Sequence, residues 1–200
     1  MMKHILAALI LLLSLPALAE EGDPVVAVEE ATSSLLSKLD EVRPLYESDK
    51  EQFFAEVRSS LGPFIDFDGF ARGVMAKYYR SATDEQKAEF AETFQEELIR
   101  TYASALVEFR NEKIEVLPLD QPVEGGRATV RLEIHSEDGA VYPVTYTLSV
   151  VDGKWKLRNI IVEGINIGLQ FRSQFSNYMQ QYRGDIDKVI ENWNVEVDET

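Results

Sequence analysis

Apolar residues recur every three or four positions through the first half of the chain, a spacing that predicts amphipathic helices. Asp23-Pro24 supplies an N-cap residue and a proline at the first helical position, so the first helix is predicted to run from there to about Val42. The sequence Ser48-Asp49-Lys50-Glu51 has the spacing of a capping box and predicts a second helix, which Gly62-Pro63 ends. A third helix is predicted to begin near Asp66 or Asp68, with an apolar side formed by Phe67, Phe70, Val74 and Tyr78.

The longest predicted helix follows a second capping box, Thr83-Asp84-Glu85-Gln86. Behind it a largely aromatic stripe recurs almost every four residues, formed by Phe90, Phe94, Leu98, Tyr102, Leu106 and Phe109. A stripe of this kind must face a large apolar surface.

From Glu112 onward the apolar period changes to two, which predicts strands. Turn-forming pairs separate the alternating segments at Gly125-Gly126, Asp138-Gly139 and Asp152-Gly153. Four strands are therefore predicted, over residues 113–118, 127–136, 141–151 and 154–162. They form an antiparallel meander with one apolar and one polar face.

The stretch VEGINIGLQFRSQF, residues 162–175, interrupts the last strand with Glu163 and Gly164 and then resumes with a helical rhythm. A helix carrying Phe171 and Phe175 is predicted to end at Gly184, and Asp185 caps a final helix that contains Trp193. Helices, then a meander, then helices indicate an α+β domain: a four-stranded antiparallel curved sheet with helices packed on one face. A sheet that curves around a helix can leave an apolar pocket between them.

Residues 1–19 have the features of a secretory signal peptide. Lys3 gives a basic start, the apolar run from Ile5 to Leu15 is shorter than a membrane span, and Ala17-Leu18-Ala19 is a small-residue cleavage site. The mature chain, residues 20–200, is long enough for one domain with a substantial core. Because the sequence contains no cysteine, disulfides and a lipid-anchored N-terminal cysteine are excluded, and the simplest location is the periplasm.

The charge of the chain narrows the choice of partners. With 35 acidic and 20 basic residues, the net charge is −15. Nucleic acid and anionic head groups would repel such a surface unless a local basic patch intervened, so no nucleic-acid partner is expected.

Few residues could support catalysis or bind a metal. His4 leaves with the signal peptide, and His135 lies on the polar side of a predicted strand, so a zinc site or a Ser-His-Asp triad is improbable. Asp66-Phe67-Asp68-Gly69 resembles a fragment of a calcium loop but lacks the remaining ligands, which favours helix capping. No metal or cofactor is expected. A single-carboxylate acid–base enzyme stays open, with Glu163 or Glu133 as the carboxylate.

Two segments together resemble the MlaC or toluene-tolerance family of periplasmic phospholipid-binding proteins. They are FIDFDGFARGVMAKYYRSATDEQKAEFAETFQEELIRTYASAL, residues 64–106, and GKWKLRNIIVEGINIGLQFRSQF, residues 153–175. The resemblance extends over nearly the whole mature chain. Asn166 stands where the family usually has Ser, and Phe171 stands where Tyr often precedes the arginine.

The resemblance implies a fold similar to the nuclear-transport-factor-like cone, with acyl chains buried between sheet and helices. It implies a soluble carrier that moves glycerophospholipid across the periplasm and so maintains the lipid asymmetry of the outer membrane. No enzymatic activity is expected, and nothing in the sequence indicates more than a monomer. Its implied partners are an outer-membrane lipoprotein–porin complex and an inner-membrane ABC transporter with an MCE-domain subunit.

We interpret Glu163-Gly164 as a hinge between the last strand and the helix that follows. We expect the acyl chains to contact the long helix, the third strand and the residue after this hinge. The expected contacts are Leu98, Tyr102, Val144, Tyr146, Leu148 and Ile165. Second choices are Phe94, Leu132 and Ile161. Arg172 could contact a phosphate, but the favoured interpretation is that it pairs with a helix carboxylate or is exposed. Two alternatives remain open: an isomerase or lipid hydrolase on the same fold, and a chaperone for acylated client proteins.

Overall fold

A computed structural model describes residues 22–107 and 112–194. The predicted signal peptide and Phe109, the last residue of the predicted long aromatic stripe, lie outside the described residues.

Three helices open the fold: α1 (Pro24–Val42), α2 (Leu45–Ser48) and α3 (Lys50–Leu61). Asp23 caps α1 by accepting a hydrogen bond from the Val25 amide, as the sequence predicts. The predicted capping box at Ser48 is wrong by one residue. Asp49 is the N-cap of α3 and accepts from the Gln52 amide, while Ser48 ends the short helix α2, which the sequence analysis does not predict.

The third predicted helix is divided in two. Helix α4 (Phe67–Met75) is capped by Asp66, whose carboxylate accepts from the Gly69 amide, so the calcium-like fragment is a helix cap. Ala76 has a φ of 50°, which interrupts the α-helical path, and a 3-10 helix follows at Ala76–Arg80. Tyr78 therefore belongs to the 3-10 helix.

Helix α5 (Asp84–Leu106) is the longest in the fold. Its predicted capping box is confirmed: the Thr83 amide donates to Gln86 Oε1 at 3.0 Å, and the Gln86 amide donates to Thr83 Oγ1 at 3.2 Å. The helix packs on α3 and α4 and reaches the C-terminal helix α7 (Ile186–Glu191).

The sheet has five antiparallel strands in sequence order rather than four: β1 (Lys113–Val116), β2 (Arg127–His135), β3 (Val141–Val151), β4 (Lys154–Val162) and β5 (Ile165–Asn166). The added strand arises at Glu163 and Gly164, whose φ angles of 50° and 83° form a two-residue hairpin turn. Val162 then pairs with Ile165, so the chain extends the sheet before it becomes helical.

A β-bulge in β4 changes which residues face the helices. Thr147 pairs with Asn159 and the adjacent Leu148 pairs with Leu157, which leaves Arg158 as the additional residue. A bulge shifts the alternation of a strand by one. Beyond it, Ile160 and Val162 lie opposite Tyr146 and Val144 on the inner face of the sheet.

Helix α6 (Ile167–Gln181) begins immediately after β5. Asn166 is its N-cap and accepts from the Leu169 amide at 3.0 Å, which is the role that serine commonly has at this position of a helix. The Gly168 amide is also engaged, since it donates to the side chain of Asn159 in β4. Helix α6 packs on both α4 and β4.

The buried apolar residues form three clusters instead of one continuous core. The aromatic cluster lies among α4, α5, α6 and α7, and its largest members are Phe70, Phe90, Phe94, Phe171, Phe175 and Trp193. The sheet cluster includes Val28 of α1 and the inner face of β2 to β4. The N-terminal cluster joins α1 and α3 to Ile99 and Ala103 of α5. A domain of this size usually has one contiguous core.

Candidate functional site

An apolar cavity of about 280 Å³ lies where the three clusters meet. Its wall combines Leu98, Tyr102 and Ile167 of the aromatic cluster, Tyr146, Leu157 and Ile160 of the sheet cluster, and Leu35, Val57 and Leu106 of the N-terminal cluster. The cavity thus separates the second half of α5 from the sheet. Its volume is just below the range of about 300 to 1,000 Å³ that ligand pockets have, and its lining is apolar as theirs is.

The wall that the described residues form contains no charged side chain. Its polar groups are the hydroxyls of Thr32, Ser60, Tyr102 and Tyr146. Burial raises the pKa of both phenols, which indicates that each faces a poorly solvated environment. The Ser60 hydroxyl is buried and has no hydrogen-bond partner among the described residues. The site can therefore hold an apolar molecule and offers it a few neutral hydrogen-bonding groups.

The structure brings three of the predicted ligand-contact residues together in this wall: Leu98 and Tyr102 of α5, and Tyr146 of β3. Leu98 and Tyr102 are one turn apart on α5, and Tyr146 extends from the sheet on the opposite side of the cavity. All three are half-buried, so each has part of its surface available to a bound molecule.

Four of the predicted residues are instead packed in the core. Val144, Leu148 and Leu132 belong to the sheet cluster, and Phe94 is enclosed by the aromatic cluster, where its ring contacts Phe70 edge-on at 5.2 Å between centroids. None of the four lines the cavity. Period and spacing identify the inward face of a strand or helix, but they do not show where that face meets empty space.

Ile161 and Ile165 do not line the cavity either, and local backbone geometry explains why. The β4 bulge puts Ile160 and Val162 on the inner face, so Ile161, opposite Thr145, lies on the other face. Ile165 is opposite Val162 in the hairpin and is 55% exposed at the edge of the sheet.

Several wall residues are not among the predicted ligand-contact residues. Helices α1 and α3 contribute Ala31, Thr32, Leu35, Val57, Ser60 and Leu61, and the wall also includes Phe64, Ile65, Ile160, Val162 and Ile167. Residues 64–66 lie beside β4, where the Leu157 amide donates to the Phe64 carbonyl. The adjacent apolar pairs Phe64-Ile65 and Ile160-Ile161 were the available signals, because a paired apolar step breaks strict alternation.

The candidate chemical groups lie elsewhere. Glu163 is exposed in the β4–β5 turn, and Glu133 is on β2 beside His135, with 3.3 Å between its carboxylate and His135 Nε2. Neither glutamate lines the cavity. Arg172 is exposed on α6, and its Nε donates to the Gly73 carbonyl rather than to a helix carboxylate.

The described ranges contain neither a metal-binding cluster of side chains nor a membrane-spanning helix. Within residues 22–107 and 112–194, no three His, Asp or Glu side chains cluster so as to hold a metal ion. Over the same residues, every helix is too short or too polar to cross a bilayer.

The chain has relatives among known proteins. Over 191 residues it is 41% identical to the toluene tolerance protein ttg2D of Pseudomonas putida, an alignment that covers 94% of this chain and 88% of the relative. It is 24% identical over 150 residues to the intermembrane phospholipid transport system binding protein MlaC of Haemophilus influenzae, covering 74% and 70% of the two chains.

A solved structure has the same fold. The phospholipid-binding protein of Ralstonia solanacearum, determined in complex with a phospholipid, matches 85% of this chain and 94% of its own with a TM-score of 0.77 at 23% identity. The family model described as MlaC protein matches residues 29–195, nearly all of the described chain. The chain belongs to the MlaC family.

Proposed function

We propose that this protein is a soluble periplasmic carrier of glycerophospholipid, without enzymatic activity. It exchanges lipid with an outer-membrane lipoprotein–porin complex and with an inner-membrane ABC transporter that has an MCE-domain subunit, and so maintains the lipid asymmetry of the outer membrane. The observation that carries the proposal is the cavity at the meeting point of the three clusters, with its uncharged apolar wall.

The energetics of lipid transfer explain why such a cavity is needed. Two acyl chains contain about 30 methylenes, and exposing each one to water costs about 0.8 kcal/mol, so unassisted transfer costs on the order of 20 kcal/mol. An apolar wall that matches the bilayer interior removes this cost for the methylenes that it encloses. Because protein and membrane then stabilise the chains similarly, loading and release are nearly balanced, and partner proteins can determine the direction.

The position of the polar groups is consistent with a lipid ligand. Ser60 and Tyr102 come from different helices and could donate hydrogen bonds to the ester carbonyls of a glycerolipid. The names of the relatives support the same class of ligand, since the Haemophilus influenzae protein is called a phospholipid transport binding protein and the Ralstonia solanacearum protein was solved with a phospholipid.

Native mass spectrometry of protein purified without detergent tests the proposal. We expect a mass increment of one or more glycerophospholipids, which extraction and chromatography then identify. Protein that is empty in every preparation would contradict a carrier. An acylated peptide as the extracted ligand would favour the chaperone alternative, and hydrolysed lipid that accumulates with time would favour the enzyme.

A further inference from the structure

Two segments of this acidic protein carry basic residues and no acidic ones. Residues 69–83, which include most of α4 and the 3-10 helix, and residues 164–184, which include α6, contain five basic residues and none of the 35 acidic residues of the chain. The two segments pack against each other. The basic residues are Arg72, Lys77, Arg80, Arg172 and Arg183, and all five are exposed. We call this surface the basic face.

Two adjoining grooves of about 300 and 410 Å³ run along the α6 side of the basic face and share Arg172. Arg158 of β4 lines the first groove and Lys77 lines the second, and neither lining contains a carboxylate. The carboxylates that border the two segments in sequence are Asp68 and Asp84 for the first and Glu163 and Asp185 for the second. Asp84 and Asp185 pair with Lys87 and Lys188, and Asp66 pairs with Arg158 at 2.6 Å. Arg172 has no carboxylate within salt-bridge distance among the described residues.

The other groove-lining groups are suited to phosphate. The linings include the amides of Asn159, Asn166 and Asn177 and the hydroxyls of Ser173 and Ser176. They also include Gly69, Gly73 and Gly168, which add no side chains. Arginine and lysine donors together with neutral polar donors are the groups that bind phosphate oxygens. Apart from Leu169, exposed large apolar side chains are absent from these linings, whereas a stable protein interface has an apolar centre.

We propose that the basic face docks the protein onto a bilayer that contains anionic phospholipid head groups. The acidic remainder of the molecule is repelled by such a bilayer, so the protein approaches it in a single orientation. Ile165 of β5 and Leu169 in the first turn of α6 are 55% and 51% exposed, and in this orientation they can enter the head-group layer.

Docking in this orientation brings the cavity wall close to the bilayer. Phe70 lines both the cavity and the first groove, and Ile167 of the cavity wall directly precedes Gly168 and Leu169 of that groove. Ile165 is opposite Val162, which lines the cavity. The purpose of this arrangement, transfer of lipid between bilayer and cavity, rests on the proposed function, but binding to the bilayer does not.

Flotation of the protein, as purified, with vesicles tests the docking. We expect binding to equal mixtures of phosphatidylglycerol and phosphatidylcholine, a steep loss of binding as salt is raised, and none to phosphatidylcholine alone. Each basic side chain near an anionic surface contributes about a factor of five to partitioning. The double variant Lys77→Gln/Arg172→Gln should therefore bind about 25-fold more weakly.

The matched control is Lys38→Gln/Lys113→Gln, which changes the net charge equally at two sites on α1 and β1, outside the basic face. Its binding should stay within about twofold of the parent. Equal losses in both variants, or no binding of the parent protein to phosphatidylglycerol, would overturn the proposal, as would binding only to an acidic protein partner. Bound lipid is quantified separately in every sample. If the protein is empty but still binds the vesicles, the carrier function is contradicted and the docking proposal is not.

Discussion

The two halves of helix α5 carry similar apolar residues but lie in different surroundings. In the first half, Phe90 and Phe94 are fully buried, and their rings contact Phe175, Phe171 and Trp193 with centroid separations of 4.9 to 6.2 Å. In the second half, Leu98, Tyr102 and Leu106 are half-buried and face the cavity. One continuous apolar stripe thus begins in a packed core and ends in the wall of the cavity.

The elements that face each half explain the difference. Helices α4, α6 and α7 close around the first half and fill the space with aromatic rings. The second half packs on α3, where Arg100 donates hydrogen bonds to both carboxylate oxygens of Glu51 at 2.8 Å. This contact lowers the pKa of the Glu51 carboxyl. The cavity therefore lies beside a half of α5 that is as apolar as the first but is not enclosed by the aromatic cluster.

Truncation of the packed half should produce the largest change in stability. Phe94→Ala removes a fully buried ring, and we expect it to lower the free energy of unfolding by about 3 to 5 kcal/mol. Leu98→Ala, one turn later, should cost only about 1 to 2 kcal/mol because Leu98 already borders open space. Urea denaturation of lipid-free protein measures both, since bound lipid would add its own stabilisation. Equal losses would show that the cavity is filled by the protein itself.

Introducing a charge into the cavity half should remove the ligand while the fold persists. Leu98→Glu places a carboxylate against the proposed acyl chains, where burying an unpaired charge costs several kcal/mol. We expect lipid to be absent from the purified variant and the circular dichroism spectrum to be preserved, because water can enter the cavity once it is empty.

Leu98→Met is the control for this change, since it keeps the volume and the apolar character and should retain lipid. A folded Leu98→Glu protein with undiminished lipid would mean that Leu98 does not contact the chains.

Replacing an alanine by leucine should have different effects in the cavity wall and in the aromatic cluster. Ala31 of α1 lines the cavity, whereas Ala91 of α5 is buried in the aromatic cluster. Ala31→Leu should reduce bound lipid and leave the lipid-free protein as stable as before, or more stable by about 1 kcal/mol. Ala91→Leu should destabilise by about 1 to 3 kcal/mol through overpacking. Native mass spectrometry and urea denaturation give the two readouts, and full lipid occupancy in Ala31→Leu would contradict the assigned position of the cavity.

Much of the fold could be predicted from the sequence because its signals are local. The Thr83–Gln86 capping box sets the start of α5, and the turn pairs Asp138-Gly139 and Asp152-Gly153 set the register of the meander. The family resemblance, which the family model confirms, rests on the same local segments. The fifth strand was missed because Glu163-Gly164 was interpreted as a strand-to-helix hinge rather than as a hairpin turn.

The residues that line the cavity are harder to predict from the sequence than the fold. The position of the cavity depends on where the neighbouring elements leave space unfilled. Helical spacing predicts that both Phe94 and Leu98 face inward, and only the placement of α6 and α7 decides that one is covered and the other is not. The β4 bulge is similarly non-local, since it accompanies the hydrogen bonds between residues 64–66 and Leu157 and the ion pair of Arg158 with Asp66. Alternation alone therefore selected Ile161 in place of Ile160 and Val162.

The smallest change in the free energy of unfolding is expected at the N-terminus of α6. This helix contributes to both the cavity wall and the aromatic cluster. Its first residue, Ile167, lines the cavity, whereas Phe171 and Phe175 are fully buried in the aromatic cluster. Asn166→Ala removes the cap and should cost about 0.5 to 2 kcal/mol, while Asn166→Ser should be nearly neutral because serine caps equally well.

Hydrogen exchange can locate this loss within α6. The Leu169 amide loses its acceptor in Asn166→Ala and should exchange faster, whereas amides around Phe175 stay protected by the packed cluster. The Gly168 amide should keep most of its protection because its acceptor, Asn159, is unchanged. Faster exchange along the entire helix would instead mean that the aromatic cluster depends on the cap. Fraying confined to the first turn would show that the cavity side of α6 opens independently of the core side, as a wall that admits and releases a ligand requires.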